Sequence, residues 1–189
     1  MKRTSMDFAL ELRFFADAML GKLARWLRLL GYDTRYCQTI TDDELIRQAA
    51  GEGRIILTRD HELIERLDRQ PGYLLEHEDP KEQLRELVHR FDLDPWIGLF
   101  SRCVYCNVPV DSVCDASTLE SSVPPRVRSY TRRFYRCRSC GRVYWEGSHH
   151  DRIRRQLQSL VEDMQGHAAA ERMPGAAAAG QGTTGSAQI

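Results

Sequence analysis

Three aspartates and two pairs of cysteines are the residues of this 189-residue chain whose types and spacing could do chemistry. Asp17 falls where an apolar run ends and a helical pattern begins, Asp42 opens the acidic stretch TDDEL, and Asp60 closes RIILTRD. Carboxylates gathered in one place repel each other unless a cation lies between them. An all-oxygen site of that kind selects Mg²⁺ or Mn²⁺, and such an ion activates water and steadies in-line displacement at phosphorus. Each aspartate alone also suits a helix cap, but three at one edge are harder to explain by capping.

Cys103-x-x-Cys106 and Cys137-x-x-Cys140 are knuckles separated by 30 residues, a layout that delivers four thiolates to one tetrahedral zinc. A closed four-thiolate site has no open position, so the ion would fold a small module rather than catalyse. Disulfides are disfavoured without an export signal, and a redox pair would need only one such motif. Cys114 is either an alternative ligand or a free buried thiol, and Cys37 is expected in a core.

The elements that must position these groups follow from periodicity. Leu12, Phe14 and Ala16 alternate with Glu11, Arg13 and Phe15, which suits a strand. Leu20, Leu23, Ala24, Leu27 and Leu30 then fall at helical spacing, and Gly31 is a natural terminator. A short strand is expected at 32–37. A helix should follow Thr41, with the capping-box pattern Thr41 to Glu44, burying Leu45, Ile46, Ala49 and Ala50 until Gly51 and Gly53 end it. Ile55 to Leu57 read as a strand buried on both faces, Ile64 and Leu67 as the helix after Asp60, and 72–76 as a further strand. Asp79, Pro80 and Glu82 open a helix with Leu84, Leu87, Val88 and Phe91 on its apolar face.

Strand alternating with helix predicts an α/β domain, a doubly wound parallel sheet, over residues 8–98. In such a sheet, ligands gather beyond the carboxyl ends of the strands, where Asp17 and Asp60 would stand. The chain from 99 to 160 is expected to be a cysteine-held module with a C-terminal helix at 152–164, and 166–189, rich in Ala and Gly, is expected to be disordered.

Formal charge is zero overall but unevenly placed: residues 1–98 carry a net −4, 99–160 a net +6 and the remainder −2. An acidic body joined to a basic module points to an anionic partner, RNA above all, since Arg126, Arg128, Arg132, Arg133, Arg136, Arg138 and Arg142 interleave with Tyr130, Phe134, Tyr135, Tyr144 and Trp145. The alternative is a solvated strand face with its aromatics packed inward. Lys22, Arg25 and Arg28 recur every three residues beside Asp17 and are candidate phosphate holders, with an ordinary solvated helix face as the alternative. No apolar run reaches membrane-spanning length, and MKRTSMD leads into a charged stretch rather than a signal-peptide core, so the expected location is cytoplasmic. An aspartyl-phosphate phosphatase would want a second Asp where Met19 stands, and a receiver domain would want an earlier acidic strand end.

The runs FFADAMLGKLARWLRLLGYD, TDDELIRQAAGEGRIILTRDHEL and CRSCGRVYWEGSHHDRI resemble the Mut-seven C-terminal RNase domain family, a PIN-like nuclease fold followed by a zinc ribbon. The resemblance implies a metal-dependent ribonuclease whose Mg²⁺ or Mn²⁺ is held by Asp17, Asp42 and Asp60, with Asp43 or Glu44 as alternatives for the middle position. Beside it stand the expectations drawn from the residues themselves: a structural zinc on Cys103, Cys106, Cys137 and Cys140, and RNA held by Lys22, Arg25, Arg28, Arg132 and Arg133. PIN domains often use a fourth acid, for which Asp79 is the available position. Thr58 is expected either to hydrogen-bond near the carboxylates or simply to finish its strand, and His61 is a secondary candidate for a base. The alternatives are a non-catalytic RNA-binding or assembly factor on the same fold, and a toxin-like nuclease with an antidote partner.

Overall fold

The computed structural model describes residues 12–114, 116–119, 122–131 and 133–171. Positions 8–11 of the expected first domain, Arg132, and 172–189 of the expected tail lie outside the described residues.

Strands β1 (Arg13–Ala16), β2 (Asp33–Tyr36), β3 (Ile55–Thr58) and β4 (Gly72–Leu74) form a parallel sheet in the order β2-β1-β3-β4. They alternate with helices α1 (Gly21–Leu29), α2 (Asp42–Glu52), α3 (His61–Glu65) and α4 (Pro80–Phe91). The alternation in β1 is between two dry faces. Phe14 and Ala16 pack with Leu20, Leu23, Leu27, Leu84 and Leu87, while Phe15 packs with Leu45, Ala49, Ile56, Leu63 and Leu67. Helices α1 and α4 therefore cover one face and α2 and α3 the other, as a parallel sheet requires.

Local signals set most of the boundaries. Asp79 caps α4, accepting from the N–H groups of Lys81 (2.8 Å) and Glu82 (3.3 Å), with Pro80 at the first helical position. The capping box expected at Thr41 is not made. Thr41 is the N-cap, but its side chain bonds no helix N–H, and Glu44 turns instead to Arg47 and Gln48. Gly51 lies within α2, and Gly53, at φ 61°, ends it. Gly31 follows α1 at φ 95°, against Gly98, whose carbonyl a Cβ would strike.

The last helix, α6 (Ser148–Glu171), starts earlier and runs further than 152–164, passing through Gly166. It also joins a different core from the one expected. Ile153, Leu157 and Leu160 are buried with Leu23, Leu84 and Leu87 rather than within the cysteine module. Their spacing puts them on one helical stripe, and the apolar flank of α4 is the larger surface to cover. The cysteine module is thus inserted between two helices of the α/β body.

Within that module β5 (Val110–Val113), β6 (Phe134–Cys137) and β7 (Val143–Trp145) form an antiparallel sheet in that order, with α5 (Pro125–Tyr130) between β5 and β6. Its own buried cluster consists of Leu119, Val123 and Phe134. The first knuckle docks on β2, an edge strand. Asn107 accepts from the Thr34 N–H (2.9 Å) and donates to Asp33 (2.7 Å), covering a backbone edge that would otherwise invite foreign strands. Asn107 has φ 61°, so Asn107→Gly keeps the backbone and removes the amide. That variant is expected to lose about 1–3 kcal/mol in urea unfolding, the cost of stranding a buried donor.

Candidate active site and metal centre

The order β2-β1-β3-β4 reverses direction at β1, so the carboxyl ends of β1 and β3 flank the topological switch point where open α/β sheets bind ligands. Asp17 is the first residue after β1, and Asp60 lies two residues after β3. The backbone N–H of Asp17 donates to the Leu57 carbonyl at 2.9 Å, continuing the β1–β3 ladder to the acid itself. Thr58, fully buried, donates its hydroxyl to Asp17 Oδ2 at 2.7 Å and accepts the Asp60 N–H at 3.0 Å. Of the two roles open to Thr58 in the sequence, the structure selects the bond to the carboxylate. Asp17 also accepts from the Ala18 N–H at the start of a 3₁₀ turn, and Asp60 Oδ1 caps α3 through Glu62 (2.8 Å) and Leu63 (3.3 Å). Both acids are therefore caps, as the plainer reading had it, but caps stationed side by side.

The electrostatics of the two sheet edges differ. At the amino edge, buried Arg54 pairs with Asp33 (2.7 Å) and Glu52 (2.5 Å). Burial alone would raise the Asp33 carboxyl, but hydrogen bonds from Arg54 and Asn107 outweigh it and hold the group below its ordinary range. At the carboxyl edge, Asp17 is 8% exposed, and among the described residues only neutral donors reach it. Buried charged groups are ordinarily paired or coordinate a metal.

Asp42 stands at the start of α2, after β2 and thus on the same edge, but its carboxylate pairs with Arg66 at 2.8 Å, and Arg66 also holds Asp43. Arg47 and Gln48 draw Glu44 down to about 2. Among the described residues no three carboxylates converge, and the one group of three or more metal-type ligands within reach of each other is the cysteine cluster. Asp79 serves α4 as its cap.

Tyr36, missed in the sequence, closes the Asp17 turn from behind by donating to the Ala18 carbonyl at 3.0 Å. Gly21 leaves room for it, since a Cβ there would meet the Tyr36 hydroxyl at 2.7 Å. The signal was a tyrosine ending β2 opposite a glycine opening α1, legible only once β1 and β2 are known to pair.

The basic residues divide. Lys22 and Arg25 are exposed on α1. Arg28 departs from the phosphate-holding role expected of it: it is buried and donates to the carbonyls of Thr34 (2.8 Å), Val104 (3.1 Å) and Tyr105 (3.1 Å), tying α1 to β2 and the first knuckle. A three-residue step is close to, but not equal to, the helical repeat, so the third member rotates toward the neighbouring module. Arg133 is exposed, 3.8 Å from Glu146. Of the aromatics, Phe134 and Trp145 pack inward, while Tyr105 stands out 52% exposed between Arg25 (5.6 Å) and Arg142 (4.0 Å).

The sulfurs of Cys103, Cys106, Cys137 and Cys140 lie within 4.8 Å of one another. Cys103 and Cys140 are 3.8 Å apart, the separation that a tetrahedron with Zn–S of about 2.3 Å demands. The knuckles repeat each other bond for bond. The Asn107 and Gly141 N–H groups donate to the carbonyls of Cys103 and Cys137 at 2.9 Å, and Cys103 and Cys137 donate to Val108 (2.8 Å) and Arg142 (2.9 Å). Asn107 and Gly141 both take positive φ. Backbone and side-chain donors of Arg142 bring the Cys140 thiol down to about 6, toward the thiolate a metal needs. The donor set and its spacing fit zinc, and the module is compatible with a zinc ribbon. Cys37 and Cys114 are exposed and stand outside it, contrary to the buried places expected for them.

No helix among the described residues is long and apolar enough to cross a membrane. Comparison with curated proteins and with solved structures found no match. The family model for the Mut7-C RNAse domain matches residues 12–157, from the start of β1 to Leu157 of α6. The chain belongs to the Mut7-C RNAse domain family.

Proposed function

We propose that the protein is a divalent-metal-dependent ribonuclease that hydrolyses RNA phosphodiester bonds on a PIN-like body, with a zinc ribbon that helps dock the RNA. The observation that carries this reading is Asp17, a buried carboxylate at the switch point, reached by neutral donors and joined through Thr58 to the backbone of a second acid. Membership of an RNase family supplies the substrate class.

Asp17 and Asp60 are donors enough, because Mg²⁺ keeps most of its waters and takes one or two carboxylates. Asp42 becomes a third ligand when Arg66 releases it, and an exposed pair of that kind is worth only about 0–1 kcal/mol. When bound, the ion supplies activated water and neutralises charge developing on the phosphoryl group. Thr58 fixes the direction of the Asp17 carboxylate, and Tyr36 steadies the turn that carries it. Lys22, Arg25 and, from the ribbon, Arg133 offer exposed charge to the RNA backbone, with Arg132 beside it in sequence.

Incubation of the protein with single-stranded and structured RNA, with and without Mn²⁺, tests the reading. Thr58→Val should slow cleavage by about 10–100-fold, the usual cost of removing a group that orients a metal ligand. Rates unchanged in that variant would remove Thr58 from the site. The pairing of Asp42 with Arg66 favours a second reading, an RNA-binding or assembly factor without a competent site. Such a protein would hold RNA equally well without Mn²⁺ and bind no Mn²⁺ through Asp17.

A further inference from the structure

Away from the ribbon, α1, α4 and α6 enclose an open groove of about 480 Å³ lined by Trp26, Lys81, Arg85, Arg152, Arg155 and Gln156. The acid in its lining, Glu82, is paired with Arg85. Lys81, Arg152 and Arg155 are exposed and form no ion pair among the described residues. Trp26 is half-buried, packed against the core while lining the groove.

Both α1 and α4 start at the carboxyl edge of the sheet. Lys81 and Arg85 lie in the first two turns of α4, and Trp26 is about 7.5 Å along α1 from its first residue. The groove therefore begins at the edge that carries Asp17 and Asp60. We infer that it is a path for single-stranded RNA, phosphates held by Lys81, Arg152 and Arg155 and a base set against Trp26. The inference rests on the ribonuclease reading above and extends it by assigning the strand's course beyond the acids. Cationic side chains around an aromatic ring suit an unpaired strand, whose bases are free to stack. A duplex keeps its bases inside and offers the groove only phosphates.

The test measures polarisation of a labelled, non-cleavable 2′-O-methyl oligouridylate on the full chain, across a salt series. Arg152→Gln with Arg155→Gln should raise Kd roughly tenfold and reduce the slope of log K against log salt by about 1.4, the share of two single-strand phosphate contacts. Kd and slope equal to the parent's would overturn the groove, as would a double variant that loses polyglutamate binding while keeping oligouridylate binding, which marks a protein-docking surface. If the parent cleaves no RNA at all, the ribonuclease reading falls, and the polarisation series still judges the groove on its own.

Discussion

Asp17→Asn is expected to lower RNA cleavage by well over about 100-fold, more than the loss of an orienting neighbour costs, while the fold stays intact. The amide oxygen keeps the Ala18 N–H, and the amide nitrogen, standing where Oδ2 was, donates to the Thr58 hydroxyl, so one structural bond survives and the other reverses its direction. What disappears is the charge. Because no protein cation offsets that charge among the described residues, its removal should cost no stability, and the melting temperature should hold or rise. Asp60→Asn should behave likewise, whereas Asp42→Asn should matter only if Arg66 yields its partner. Cleavage assays on the three variants, with Mn²⁺ titrated by isothermal calorimetry, separate these cases. Full activity in Asp17→Asn would end the assignment.

Loss of the cysteine-bound metal is expected to unfold the inserted module and leave the parallel sheet standing. Structural zinc contributes about 10–16 kcal/mol in small zinc modules. The three residues of the module's buried cluster, at about 1.5–3 kcal/mol each, do not approach that once chain entropy is charged against them. Cys137→Ser should therefore abolish amide protection across β5, β6 and β7 in hydrogen exchange. Amides of β1 and β3, in the other core, should keep theirs. The parent should carry one zinc per chain by elemental analysis. A metal-free protein with protected β6 amides would show that the module folds without the ion.

The sheet was legible because each strand is succeeded by a strong helical pattern. RFFA and IILT are apolar on both faces, and Asp17, Asp60 and Asp79 cap the 3₁₀ turn, α3 and α4 respectively. Both cysteine pairs were legible for the same reason: their chemistry lies in their spacing. What escaped depends on contacts between segments far apart in the chain. Arg28 has the look of a surface cation until the first knuckle, more than 70 residues on, supplies two of its carbonyl partners. Asp42 looks as available as Asp17 until Arg66 is seen beside it. Strand β5, of sequence VDSV, and helix α5 carry too little periodicity to announce themselves. The helix at 152–164 was visible, but nothing local says which of two cores it serves.

Chain enters the cysteine module from α4 and leaves it into α6, and both of those helices are seated in one core. A module hung on a single tether sweeps a wide cone, whereas one pinned at both ends and clamped at Asn107 has almost no swing. A nucleic acid gripped there would meet the sheet edge from a constant bearing. The separation between grip and acids would then act as a ruler, set by the scaffold rather than by the length of any flexible linker.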